Sequence, residues 1–133
     1  MRTRRAIGAV TAALALTLVG CTGGEEAGLN DNKGSDPSAE ASKALRAAGI
    51  PPEPTGAQRA QLLRALAAVD PDIVKYEEKA VDAARNQCSA INGNSSRADW
   101  TAAQRFTYRD VTTTEAQGKQ INEALEGLGF CKV

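Results

Sequence analysis

The sequence predicts a small all-α fold, a bundle of four to five short helices closed by one disulfide, and three observations carry that expectation. No stretch alternates polar and apolar residues with the period of two that a half-buried strand requires. Three segments share the helix-start pattern T-x-x-Q ahead of apolar residues at helical spacing. Cys88 and Cys131 remain as an even pair once the first cysteine is assigned elsewhere, and an even pair in an exported chain defaults to a disulfide.

The chain opens with Arg2, Arg4 and Arg5, and residues 6–19 are apolar apart from two Thr and one Gly. A charged start, a short apolar run and a small-residue ending form a secretory signal, expected over residues 1–20. Fourteen helical residues reach about 21 Å, short of the roughly 30 Å hydrocarbon core, so a permanent membrane span is disfavoured. Leu18-Val19-Gly20-Cys21 resembles a bacterial lipobox, which implies a diacylglyceryl thioether on Cys21 and cleavage between Gly20 and Cys21. Diacylglycerol and palmitate-type chains bury enough CH₂ groups to hold a protein at the bilayer. Thr3-Arg4-Arg5 also resembles a twin-arginine export motif, although Ala6-Ile7-Gly8 lacks its bulky apolar pair.

Residues 21–36 then read as the lipidated cysteine and a flexible linker, because Leu29 is the single large apolar residue from Thr22 to Asp36. Fifteen such residues reach on the order of 20 Å. The Asn and Asp residues around Gly34 do not fall at EF-hand offsets.

The helical domain is expected over 37–133. Asp36 and Pro37 start a first helix as N-cap and first helical residue, with Leu45 near its end and Gly49 as its stop. Ile50-Pro51-Pro52-Glu53-Pro54 must run extended, packing Ile50 on the core. Thr55-Gly56-Ala57-Gln58 opens a helix carrying Leu62, Leu63, Leu66 and Val69. Asp70-Pro71-Asp72 ends it and caps the longest helix, whose inward face is Val74, Val81, Ala84, Cys88 and Ile91, with Glu77 marking a possible break. Asn92 to Ser96 is a loop, and its Asn94-Ser95-Ser96 sequon is read as loop composition. Trp100 precedes the Thr101-Ala102-Ala103-Gln104 start and is placed to staple onto Arg105 or Phe106. Thr114-Glu115-Ala116-Gln117 starts the last helix, which presents Ile121, Ala124, Leu125 and Leu128 before Gly129 turns Phe130 back onto it.

From Leu45 to Cys131 the chain resembles a group of small actinobacterial secreted lipoproteins with a two-cysteine helical domain of unknown function. Leu45-Arg46-Ala47-Ala48-Gly49-Ile50-Pro51, Asn86-Gln87-Cys88 and Glu115-Ala116-Gln117 through Ile121-Asn122 and Ala124-Leu125 to Cys131 carry the resemblance. The ending Phe130-Cys131-Lys132-Val133 departs from the aromatic-Cys-Pro ending expected of the group. The resemblance implies no activity and transfers no catalytic residue.

The formal charge of +0 conceals an asymmetry: three of the sixteen Lys and Arg lie in the signal and all sixteen acids after it, leaving 13 against 16, or −3. With no basic run after Arg5, nucleic acid is an unexpected partner. The chain has no histidine, which removes Ser-His-Asp and Cys-His arrangements and His-based zinc sites. No cofactor or metal site and no catalytic residue is assigned. The expectation is a non-enzymatic binding or interaction module of the cell envelope, anchored in the bilayer through the Cys21 acyl chains on the extracytoplasmic face, with an envelope protein as a candidate partner. Two alternatives stay open: a carboxylate-dependent hydrolase using members of Asp70, Asp72, Glu77, Glu78 and Asp82, and a carrier with an apolar cavity.

Overall fold

Five α-helices and one 3₁₀ turn account for the regular structure of residues 37–133, which are the residues that the computed structural model describes, and no strand occurs among them. The expected signal peptide, the Gly20–Cys21 junction, the linker and the Asp36 cap lie outside the described residues.

Helix α1 (Pro37–Ala47) starts on Pro37 and stops at Gly49, whose φ of +74° is the left-handed conformation that glycine adopts without a Cβ clash. Ile50 N–H donates to Leu45 O and Gly49 N–H to Arg46 O, the paired bonds of a Schellman motif. α1 contributes no buried residue. The strap after it is extended as expected, but Pro51 and Pro54 are its buried residues while Ile50 is only half-buried. Arg85 fixes the strap by donating from Nε to Pro51 O at 3.0 Å.

Helix α2 (Gly56–Val69) sends Leu62 and Leu66 into the core. Its start departs from expectation: Thr55 makes no side-chain cap, because Gly56 takes a φ of +52° and the first turn does not present its N–H groups to the Thr55 hydroxyl. Asp70 ends α2 as expected, but it accepts from Asp72 N–H at 2.9 Å to cap the separate 3₁₀ turn Pro71–Val74 and not the longest helix, which starts after Tyr76 with no side-chain cap. The break foreseen near Glu77 falls at Lys75-Tyr76, and α3 (Glu77–Asn92) follows. The shift in geometry buries Ile73 in place of Val74, whereas Val81, Ala84 and Cys88 face inward as expected.

Helix α4 (Ala98–Phe106) begins three residues before the expected Thr101 start. Ser95 seeds it, since Ala98 N–H donates to Ser95 O, so Thr101 is already helical and its hydroxyl bonds back to Arg97 O at 2.9 Å. Trp100 is consequently an exposed helical residue stacked by the Arg97 guanidinium at 4.1 Å, and not a staple on Arg105 or Phe106. Helix α5 (Glu115–Gly127) carries the capping box as expected, with Gln117 N–H donating to Thr114 Oγ1 and Thr114 N–H to Gln117 Oε1. Gly129, at φ +62°, closes a second Schellman motif and turns Phe130 into the core.

The core gathers Leu62, Leu66, Ile73, Val81, Ala84, Phe106, Ile121, Leu125 and Phe130. The Cys88–Cys131 disulfide, with Cα atoms 5.0 Å apart, ties the tail to α3. Asn92 extends that tie by donating to Gly49 O and to Cys131 O, both at 2.9 Å. A polar network missing from the sequence reading lies between α3, α4 and α5. Gln87, fully buried, donates to Ala98 O and Asn122 Oδ1 and accepts from Arg105, while Asn122 donates to Asp99. Satisfied on every side, it fixes the relative rotation of three helices.

Candidate functional site

Where α4 ends, Thr107 closes a loop: its hydroxyl donates to Ala103 O and accepts from Thr113 N–H. Inside that loop Tyr108 and Val111 exchange backbone hydrogen bonds of 2.9 Å, so Arg109 and Asp110 form a two-residue tip held by buried Phe106 and Val111. At the opposite wall, Tyr76 occupies the junction between the 3₁₀ turn and α3. Packing of α4 against α3 brings the two tyrosines together edge to face, with ring centroids 5.4 Å apart and planes at 87°.

Arg109 holds a φ of +55°, a conformation that costs a residue with a Cβ roughly 1–2 kcal/mol. That backbone places its guanidinium 5.1 Å from the Tyr76 ring centroid and 5.2 Å from that of Tyr108. Lys79 lies 5.6 Å from the Tyr108 ring and Lys75 5.9 Å from the Tyr76 ring. Of these three cations only Lys75 pairs with a carboxylate among the described residues, that of Asp110; Lys79 lies against the Tyr108 ring, and hydrogen bonding to the Tyr76 and Tyr108 side chains holds the Arg109 guanidinium pKa above its usual value. The positive φ is the conformation that a two-residue turn closed by Tyr108 and Val111 requires at its first tip residue, and it sets the direction in which Arg109 leaves the loop.

Tyr76, Glu77, Glu78, Lys79, Tyr108 and Arg109 enclose an open cleft of about 280 Å³. Beneath it Ile73, Ala80, Ala83, Phe106 and Val111 make an apolar floor around a space of about 10 Å³, room for about one water and far below what an apolar ligand would need.

Asp110 locks the tip. Its carboxylate takes the Lys75 ammonium on one oxygen and the Tyr76 hydroxyl, at 2.8 Å, on the other. The Lys75 hydrogen bond, then that of Tyr76, hold its pKa down at about 2, from 3.8. A carboxylate whose folded pKa is depressed contributes stability above its unfolded pKa and loses it as the pH falls through the folded value. The Tyr76 ring resonance should therefore hold steady from pH 7 to about pH 4 and move with a midpoint near 2; a midpoint near 4 would show that the clamp does not form.

The strain on Arg109 is equally open to measurement. Arg109→Ala and Arg109→Gly both lose the guanidinium, and only glycine relieves the left-handed backbone. In urea denaturation the glycine variant should be more stable than the alanine variant by about 0.5–1 kcal/mol, after allowing for glycine's larger unfolded entropy. Equal stabilities would mean that the tip is unstrained.

Of the acidic residues singled out from the sequence, Glu77 and Glu78 come together on the wall of this cleft, whereas Asp70, Asp72 and Asp82 lie apart from it and form no carboxylate pair. Asp70 spends one oxygen on the Asp72 cap and the other on Gln117 Nε2 at 2.8 Å. Asp72 is exposed, and Asp82 accepts from Asn86 on its own helix. Glu78 pairs with Arg59 at 2.6 Å and Glu77 lies 3.8 Å from the same guanidinium. Among the described residues, no group of three His, Cys, Asp or Glu side chains is arranged to hold a metal ion, and no helix is long and apolar enough to cross a membrane. Sequence reasoning missed Tyr76, Tyr108, Arg109 and Asp110. The available signal was that the chain has two tyrosines and each neighbours a basic residue, in Lys75-Tyr76 and Tyr108-Arg109. No protein-family model, curated protein or solved structure matches the chain.

Proposed function

We propose that the protein is a lipid-anchored extracytoplasmic binding module of the cell envelope, non-enzymatic, whose recognition surface is the Tyr76–Tyr108–Arg109 cleft. The observation that carries the reading is Arg109, held beside two tyrosine rings by a positive-φ backbone with no carboxylate among the described residues to neutralise it. Such a group is ready for a ligand anion without reorganisation, and the disulfide and the Gln87 network keep the helices beneath it fixed. The lipobox-like Leu18–Cys21 segment supports an anchor that confines the module to the outer face of the bilayer.

The anchor is tested by growing producing cells with labelled palmitate. The wild-type protein should carry the label at the mature N-terminus, and Cys21→Ala should lose at least roughly ten-fold of the incorporated label along with its acyl-dependent membrane retention. Equal labelling of the two proteins would refute lipidation at Cys21.

A further inference from the structure

We infer that the cleft takes a short peptide end bearing a free carboxylate and a nearby primary ammonium, the carboxylate meeting Arg109 and Lys79 and the ammonium meeting Glu77; this rests on the cleft being the recognition surface. The cleft is lined by both signs of charge, Glu77 and Glu78 against Lys79 and Arg109. Glu78 is committed to Arg59, while Glu77, its side chain 62% exposed, makes only a long 3.8 Å approach to it and keeps the capacity for a second cation. Lys79 has no carboxylate partner among the described residues, and the Arg109 guanidinium has more N–H donors than the two tyrosine side chains engage, so both keep capacity for a carboxylate.

Charge balance selects the ligand. A polyanion would meet two carboxylates in the same cleft, and a simple cation would meet Lys79 and Arg109. Residues 37–133 carry twelve basic and twelve acidic side chains, so the net charge of the helical domain favours neither. A zwitterion satisfies both sets. The volume of about 280 Å³ sits at the small end of ligand clefts, which run from roughly 300 Å³ upward, and suits one or two residues. The Tyr76 and Tyr108 rings supply the apolar contact that a peptide backbone and its methylenes use.

The test is calorimetric titration of the mature, lipidated protein in detergent micelles with the dipeptide lysyl-alanine as probe. A Kd below about 1 mM is expected, weakened at least roughly ten-fold both by amidation of the carboxyl end and by acetylation of the amino groups. Arg109→Ala should remove most of the discrimination between acid and amide, Lys79 retaining the rest, and Glu77→Gln should remove that between free and acetylated amines. Because Arg109→Ala carries backbone strain, Arg109→Gly serves as the second variant and should give the same loss. Equal binding of the amidated and acetylated probes would overturn the inference, as would tighter binding of inorganic polyphosphate than of the dipeptide. Failure of the dipeptide while envelope fractions still perturb the tyrosine rings would sink this ligand assignment alone; failure of both would sink the recognition surface with it.

Discussion

Gly118→Ala should destabilise the protein by about 3 kcal/mol or more, although alanine is the better helix former by about 1 kcal/mol. Gly118 lies inside α5 and is buried where that helix crosses α4. A Cβ built there would overlap the Asp99 carbonyl oxygen and stand 3.0 Å from Ala103 N and 3.1 Å from the Asp99 carbonyl carbon. These are backbone atoms, so no rotamer change relieves the contact and the two helices must separate. Separation would also stretch the Asn122–Asp99 hydrogen bond and loosen the loop between α4 and α5 that carries Tyr108 and Arg109. Urea denaturation decides the matter. A loss near 3 kcal/mol is expected; a gain, or a change within 1 kcal/mol, would mean that the α4–α5 crossing is not close-packed at this point.

Removing the disulfide should have the second large effect. Cys88→Ala/Cys131→Ala frees a 43-residue loop in the unfolded chain, for which the loop-entropy model gives about 4 kcal/mol and mutational experience roughly 2–5. The cost is structural as well, because Phe130 is buried and its position depends on the tail being held against α3. For a core rich in alanine this is a large share of a total stability of the order of 5–15 kcal/mol. Denaturation midpoints with and without reductant should show the same drop for the wild type, and none for the double variant. A double variant within 1 kcal/mol of the wild type would reassign the holding of the tail to Asn92.

The architecture was legible wherever local chemistry acts alone. The all-α class, the end of α2 at Asp70, the glycine stops at 49 and 129, the break beside Glu77 and the Cys88–Cys131 pairing follow from residue types whose conformational or covalent preferences dominate their surroundings. One motif, T-x-x-Q, gave three different results. At Thr114 the backbone is extended and the box forms; at Thr55 a left-handed glycine follows; at Thr101 a helix seeded by Ser95 is already under way. A capping box requires the residues and also a first helical turn that aims its N–H groups at the cap hydroxyl, and only the residues are visible in sequence. The site was illegible for a related reason. Nothing in the composition marks Arg109 for a positive φ, and Tyr76 and Tyr108 are 32 residues apart until α3 and α4 pack. Gln87 and Asn122 looked like ordinary polar helix positions, yet they lie beside Cys88 and Ile121 on faces that turn inward.

The recognition surface itself offers a direct spectroscopic handle, since the chain has two tyrosines and both line the cleft. The decisive measurement is carbon NMR of the mature, lipidated protein with ring-labelled tyrosine in micelles, titrated with solubilised cell-envelope fractions. Both ring resonances should shift with the wild type and stay fixed with Arg109→Gly. Envelope material that binds the protein while leaving both rings unmoved would contradict the account.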